Sequence, residues 1–212
     1  MNRTYTKKVM NEDGQETEQT FTGKLSKKEK QKLFKDLCLK GPRIVVDCDY
    51  EDKMREPEIK SLSQQLTYCT NVNKQLEQPM NLIFTGVGDQ LEEKLKTISY
   101  QNWSVQSFSG EKSSYLDASP VESTYSNTED GRIDKKKLVY LTADSKNDIK
   151  ELDPEDVYII GGIVDRNRYI NLTLNKAEEQ GIRHGKLPIG DYMQLQSSTV
   201  LTVNHVFEIL GL

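Results

Sequence analysis

Apolar positions along this chain follow two spacings. Short continuous apolar runs predict buried β-strands, because a parallel strand is covered on both faces; they fall at residues 43–47, 81–85, 104–108, 138–144, 157–160 and within 182–189. Apolar residues three or four positions apart predict amphipathic helices; these cover residues 26–40, 57–76, 89–98, 148–152 and 168–180, with a terminal helix opened by Thr199 or Thr202. This alternation predicts an α/β fold, a parallel sheet with helices on both faces.

Acids and glycine-rich turns collect where these strands end. Asp47, Asp144 and Asp165 each follow a strand, and ligands of parallel α/β sheets bind beyond the carboxyl ends of the strands. Three turns rich in Gly, Pro and small polar residues lie beside apolar segments, at residues 161–165, 186–190 and 201–204. Such turns suit a ligand held by backbone groups. The alternatives stay open: the glycines only turn the chain, Asp165 caps the next helix, and Asp144 caps or forms a turn.

Polar segments flank and interrupt this pattern. Residues 1–41 predict a polar arm, either a hairpin turning at Asp13-Gly14 or a disordered tail, and then a basic helix. Residues 24–43 hold eight basic and two acidic residues, in a chain whose net charge is −4. That segment suits RNA phosphates, although a Lys-rich helix face is often only solvated. A domain follows at 42–212, interrupted by a Ser-rich stretch at 110–137 that predicts a flexible insertion.

Composition narrows the possible chemistry. Hydrophobic residues make up 35% of the 212 positions, and no apolar run approaches the roughly 20 residues that span a bilayer. The start lacks the apolar stretch of a secretory signal, so we expect no membrane association and an intracellular location, in the cytoplasm and/or the nucleus. Three widely spaced cysteines and two histidines give little support to a disulfide framework or a metal site. No Ser/His/acid or Cys/His constellation can be assembled around the turns.

Several sequence blocks are distinctive when taken together and in order. Leu-Thr-Ala-Asp stands at 141–144 and Tyr-Ile-Ile-Gly-Gly-Ile-Val-Asp-Arg-Asn-Arg at 158–168. Further blocks occupy residues 44–48, 61–66, 176–183, 187–192 and 200–210. Over roughly residues 42–212 the chain resembles the SPOUT-class tRNA guanine-9 N1-methyltransferases of eukaryotes and archaea, with fungal members the nearest in character.

The resemblance implies a SPOUT-type fold whose carboxyl-terminal chain forms a trefoil knot. It also implies S-adenosylmethionine as methyl donor, S-adenosylhomocysteine as product, no metal, and tRNA as acceptor. The target is N1 of the purine at tRNA position nine, usually guanine and in some members adenine. N1 of guanine carries a proton, so a base should remove it. The family's proposed base falls on Asp165, and the secondary candidates are Asp47, Gln65 and Asp144.

Two sets of binding residues are expected. The cofactor set follows the resemblance, and the RNA set joins basic residues near the turns to those of the basic segment at 24–43. Cofactor contacts, mainly through the backbone, are expected at Leu141, Thr142, Gly161, Gly162, Arg166, Asn167, Arg168, Tyr169, Ile170, Leu174, Lys186, Leu187, Pro188, Ile189, Gly190, Leu201, Thr202 and Asn204. RNA contacts are expected at Lys27, Lys28, Lys32, Arg43, Arg166, Arg168, Arg183 and Lys186.

The chain also departs from the family. Members usually carry a long basic amino-terminal extension and often a carboxyl-terminal tail. Here residues 1–23 are weakly charged and the chain ends at Leu212. We therefore expect the sequence to be the catalytic domain of a longer protein. Most SPOUT enzymes dimerise, but a monomer is expected for this branch. Two alternatives stay open: a catalytically silent α/β RNA-binding scaffold, and a SPOUT methyltransferase acting on another RNA position or on adenine.

Overall fold

A computed structural model describes residues 2–10, 16–100, 103, 105–109, 114–116, 134–192 and 201–212. The chain divides into two compact units, Met1–Asp36 and Leu37–Leu212. In the first unit, β1 (Asn2–Met10) pairs antiparallel with β2 (Glu16–Lys24); the predicted turn at residues 13 and 14 lies outside the described residues. The basic helix α1 spans Lys27–Lys40, and its lysines are exposed. The domain boundary after residue 41 stays a prediction.

The second unit is built on six parallel strands, as the alternating pattern predicted. They are β3 (Arg43–Asp47), β4 (Asn81–Val87), β5 (Gln106–Ser109), β6 (Leu138–Leu141), β7 (Val157–Gly161) and β8 (Arg183–Gly185). Their order across the sheet is β5-β4-β3-β7-β6-β8. Because β3, β7 and β6 lie side by side and run the same way, the polar residues that follow them meet at one edge.

Helices cover both faces of the sheet, again as predicted. The helices are α2 (Glu56–Asn73), α3 (Asp89–Thr97), α4 (Leu172–Glu179), the short α5 (Ile189–Tyr192) and α6 (Val203–Leu210). Successive strand residues point to opposite faces. In β7, Ile160 therefore joins the core beneath α2, α3 and α6, whereas Ile159 joins the core beneath α4.

Packing against the larger core explains why α2 forms where it does. Pro57 lies in its first turn, where a missing N–H costs nothing. Glu58 then accepts a hydrogen bond from the Arg55 backbone N–H, 2.8 Å away, and closes the first turn. Leu62 and Leu66 lie one turn apart and are fully buried. Truncating such a leucine to alanine costs about 2–5 kcal/mol of stability.

Three predicted elements are wrong in extent or kind. The predicted helix at 148–152 is absent: the Ile149 N–H bonds to the Lys186 carbonyl (2.9 Å), and residue 148 forms a parallel bridge with residue 186. Those pairings use backbone groups that a helix would need. The predicted strand at 138–144 ends at Leu141, and the predicted helix at 168–180 begins only at Leu172.

Parts of three predicted elements lie outside the described residues: most of the insertion at 110–137, residue 104 and Thr199. Within the insertion, Tyr115 is buried and its ring lies edge-on to Tyr140, with centroids 6.2 Å apart. Among the helices that the structure describes, none is long and apolar enough to cross a membrane.

Candidate functional site

A cavity of about 440 Å³ opens at the carboxyl ends of β6 and β7. Its wall comes from the strand ends and the three turns, together with the start of α4 and one side of α6. The lining residues are Leu141, Thr142, Ala143, Asp148, Ile160, Gly161, Ile163, Asp165, Thr173, Lys186, Leu187, Pro188, Ile189, Gly190, Leu201, Val203 and Val206. Cavities of this size hold ordinary cofactors, and this edge of a parallel sheet is where they bind.

The structure brings half of the predicted cofactor set together in this wall. The members that line the cavity are Leu141, Thr142, Gly161, Lys186, Leu187, Pro188, Ile189, Gly190 and Leu201. The remaining nine do not belong to the cavity wall: Gly162, Arg166, Asn167, Arg168, Tyr169, Ile170, Leu174, Thr202 and Asn204. Tyr169 and Ile170 are exposed on the loop after β7, with Ile170 at 75% of full exposure. Contact of these nine residues with a cofactor stays a prediction.

Asp165 is the candidate base that reaches the cavity. Its carboxylate also organises the loop after β7, because Oδ1 accepts the Asn167 N–H at 3.0 Å and Oδ2 accepts the Tyr169 N–H at 2.9 Å. The alternative that Asp165 caps the next helix is wrong, because α4 begins only after Asn171, which occupies the N-cap position. Each carboxylate oxygen keeps a further lone pair, so these bonds leave capacity to take a proton.

The secondary candidates Asp144 and Gln65 fix neighbouring backbone. Asp144 Oδ2 accepts the N–H of Asn171, 2.9 Å away, at the entry to α4. Gln65 Oε1 accepts the N–H of Val203 at 3.0 Å, in the first turn of α6. Each therefore satisfies a helix-terminal donor that lacks a partner within its own helix. Neither belongs to the cavity wall.

Asp47 lies in a buried polar cluster beneath α4. Its Oδ2 accepts the Tyr140 hydroxyl at 2.8 Å and pairs with Lys176 Nζ, also 2.8 Å away. Tyr140 in turn meets the Tyr50 hydroxyl at 2.8 Å, and Lys176 also reaches Asp49 at 3.1 Å. Burial, and secondarily the Asp47 charge, raises the pKa of Tyr140 well above its usual value. Asp47 is thus committed to an internal ion pair.

The paired glycines have different surroundings. A Cβ on Gly162 would stand 2.8 Å from the Asp47 carbonyl oxygen, so this position packs against β3. A Cβ on Gly161 would meet Thr173 Cγ2 at 2.7 Å, where Thr173 Oγ1 also donates to Thr142 Oγ1 at 2.8 Å. Gly162 therefore has a structural role, in line with the alternative that the glycines only turn the chain. Gly161 combines that role with a place in the cavity wall.

Within the second unit, the residues predicted to contact RNA are spread over both edges of the sheet. Arg43 and Arg183 open β3 and β8, at the edge away from the cavity; a five-residue strand separates the two edges by roughly 13 Å. Arg43 donates to the Glu155 carbonyl at 2.9 Å, and Arg183 pairs with Asp156 at 2.5 Å. Lys186 lies near Asp148 at 3.6 Å.

Arg166 is exposed and Arg168 is bound to Glu58, while Lys27, Lys28 and Lys32 lie exposed on α1. For all eight residues of the RNA set, contact with RNA stays a prediction.

Sequence reasoning missed seven lining residues: Ala143, Asp148, Ile160, Ile163, Thr173, Val203 and Val206. Val203 and Val206 carried a usable signal, since both lie on the apolar stripe of the terminal helix. Asp148 was missed because the predicted helix at 148–152, which the structure does not contain, placed this residue away from the cavity. Among the described residues, no group of three His, Cys, Asp or Glu side chains is placed to hold a metal ion.

These features define an α/β domain with a cavity for a small ligand where its central parallel strands end, and with a carboxylate in the wall of that cavity. The chain belongs to the tRNA (guanine(9)-N(1))-methyltransferase TRM10/TRM10A family, whose sequence model matches residues 1–211.

Curated relatives agree with this assignment. The tRNA (guanine(9)-N1)-methyltransferase of Schizosaccharomyces pombe is 43% identical over 170 residues, which is 80% of this chain and 52% of that protein. The tRNA methyltransferase 10 homolog A of Mus musculus is 33% identical over 184 residues, 86% of this chain and 51% of that protein. The chain thus spans about half the length of these relatives.

Solved structures share the fold. A crystal structure of full-length spTrm10 in complex with SAH is 43% identical, has a TM-score of 0.66, and is matched over 80% of this chain and 85% of that one. A dual-specific Trm10 from Thermococcus kodakaraensis is 16% identical with a TM-score of 0.53, over 80% and 89% of the two chains. The second likeness concerns the fold alone.

Proposed function

We propose that this chain binds S-adenosylmethionine in the cavity and methylates N1 of guanine at position nine of tRNA. The observation that carries this proposal is the cavity of about 440 Å³ with Asp165 in its wall, in a chain of the TRM10/TRM10A family. The SAH bound to spTrm10, which is 43% identical, supports a cofactor of the same kind here.

The cavity wall has the chemistry that this cofactor requires. Leu141, Ile160 and Val203 offer apolar surface to a flat ring system, while Thr142 and Thr173 offer hydroxyls. Asp148 brings a carboxylate, which suits a ligand that carries positive charge. When bound, S-adenosylmethionine supplies an electrophilic methyl group on sulfur.

The role of the protein is to place guanine N1 and remove its proton. The Asp165 carboxylate accepts that proton, so the electron pair of the N–H bond stays on N1 as the nucleophile. A positioned base contributes about 10²–10⁴ in rate. The remaining rate acceleration comes from holding the reacting atoms in line, and the ordered turn around Asp165 serves that purpose.

Three further features belong to this proposal. One is the trefoil knot, which the likeness to spTrm10 supports; residues 193–200, just before α6, lie outside the described residues. The others are tRNA binding by a monomer, which rests on the family resemblance, and the intracellular location expected from the sequence. The elution volume of the protein in gel filtration, with and without tRNA, tests the monomer.

Methyl transfer to transcribed tRNA, followed by mapping of the modified nucleoside, tests the activity. We expect 1-methylguanosine at position nine, and no methyl incorporation when that position is changed to a pyrimidine. Calorimetric titration with S-adenosylmethionine provides a separate measurement. Binding of tRNA without binding of S-adenosylmethionine would overturn the proposal in favour of a catalytically silent scaffold.

A further inference from the structure

The loop that carries Asp165 has an unusual backbone. Arg166, Asn167 and Asn171 all have positive φ, at 53°, 60° and 61°. Asparagine enters this left-handed region more readily than most residues, but arginine does so with strain. Such a conformation persists only where the surrounding structure holds it. The loop must therefore be held by more than its own sequence.

Two of the restraints come from groups already described. The Asp165 carboxylate binds two N–H groups of its own loop, and the Asp144 carboxylate binds the N–H of Asn171. The first restraint is internal to the loop, and the second holds its end at Asn171. Neither ties the part around Arg168 to a neighbouring helix.

A third restraint fastens that middle to helix α2. Arg168 Nη1 and Nη2 donate to the two oxygens of Glu58, each at 2.8 Å, and Nη2 also donates to the Lys53 carbonyl at 3.2 Å. A two-pronged contact between guanidinium and carboxylate fixes orientation as well as distance. The Val164 N–H lies 3.3 Å from Met54 Sδ on the same side, so the loop is tied at a second point.

Glu58 is itself held rigidly. It lies in the first turn of α2, its side chain is 9% exposed, and it accepts from the Arg55 backbone N–H at 2.8 Å. The hydrogen bonds from Arg168, followed by that from the Arg55 backbone, lower the pKa of Glu58 to about 2. The carboxylate is therefore charged whenever the protein works near neutral pH.

We propose that the Glu58–Arg168 pair is a positioning clamp, which holds the Asp165 loop against α2 and so sets the direction of the Asp165 carboxylate. Arg168 is a positioning residue in this scheme and not a contact for RNA phosphate. The effect of the clamp on the rate of methyl transfer rests on the proposed function, because that effect requires Asp165 to accept the proton. A misplacement of about 1 Å at a reacting group can cost about a hundredfold in rate.

Two single variants test the clamp. Glu58→Gln keeps one oxygen for the Arg55 N–H and removes the charge, and Arg168→Lys keeps the charge and removes the two-pronged geometry. The matched control is Glu56→Gln, which removes an exposed carboxylate from the same helical turn, 3.2 Å from Lys94.

We expect both single variants to lose about tenfold to a hundredfold in the single-turnover rate of methyl transfer, with little change in the steady-state KM for tRNA. A phosphate contact would instead raise the KM of Arg168→Lys alone and leave Glu58→Gln unchanged. That result, or rates equal to those of Glu56→Gln, would overturn the clamp.

Hydrogen exchange tests the same clamp without any need for activity. The amides of Asn167 and Tyr169 should exchange slowly in the wild-type protein and in Glu56→Gln, and faster in the two clamp variants. Equal exchange in all four proteins overturns the clamp. If the wild-type protein transfers no methyl group, the proposed function fails, and exchange still decides whether the clamp holds the loop.

Discussion

Lys176→Met tests the buried ion pair beneath α4. Methionine keeps the length and most of the volume of lysine but removes its charge. Asp47, at 1% exposure, would lose the ammonium that lies 2.8 Å from its Oδ2. It would keep the Tyr140 hydroxyl at 2.8 Å and the Asp49 N–H at 3.3 Å. The variant therefore leaves a buried carboxylate partly solvated by hydrogen bonds and without a counter-charge.

The expected loss of stability follows from that environment. Removing one partner of a buried pair costs about 3–5 kcal/mol. The low end applies here, about 3 kcal/mol, because two hydrogen bonds to Asp47 remain and the Lys176 side chain is 18% exposed. For a domain of this size, about 3 kcal/mol corresponds to a fall of about 6–12 °C in Tm.

Urea unfolding at neutral pH, followed by circular dichroism, measures the change. Asp47→Asn combined with Lys176→Met removes both charges, so the double variant should be more stable than the sum of the two single losses predicts, by about 1–3 kcal/mol. A loss below about 0.5 kcal/mol for Lys176→Met would refute the reasoning, since that is the range of ordinary surface substitutions.

Three further predictions follow from single features. Gly162→Ala places a Cβ 2.8 Å from the Asp47 carbonyl oxygen and should cost about 1–3 kcal/mol in urea unfolding. Burial raises the pKa of the thiols of Cys38, to about 11, and Cys69, to about 12, so a chromogenic disulfide should react slowly with the native protein at pH 8 and quickly in denaturant. Glu58, with a pKa of about 2 against an ordinary 4.5, contributes stability that is fully present above pH 4.5 and is lost as the pH falls towards 2. Glu58→Gln should flatten that acid limb in thermal unfolding.

Periodicity predicted the fold well where the apolar residues of a segment all pack into a hydrophobic core. The strand at 43–47 has buried residues on both faces, and α2 shows a continuous apolar stripe through Leu62 and Leu66. Prediction failed at residues 148–152 and 165–171, where the backbone is held by partners distant in sequence. The Ile149 N–H donates to the Lys186 carbonyl, and the Asn171 N–H donates to the Asp144 carboxylate. A spacing rule carries no information about such partners.

The candidate site shows the same division. Glycine-containing turns after strands marked Gly161 and Lys186, because the carboxyl ends of parallel strands meet at one edge, and the turn before the terminal helix marked Leu201. The different surroundings of Gly161 and Gly162 could not be read from the sequence, since they depend on how close Thr173 and β3 approach. The engagement of Arg168 by Glu58, 110 residues earlier, was likewise hidden. The role of Asp165 came from family resemblance.

The rate of a single turnover in Asp165→Asn tests the central claim most directly. Asparagine keeps the size of the side chain and an oxygen for one loop N–H, so folding and S-adenosylmethionine affinity should be nearly unchanged. With tRNA that carries guanine at position nine, we expect methyl transfer to slow by about 10²–10⁴. A rate equal to that of the wild-type protein at several pH values would contradict the assignment of Asp165 as the base.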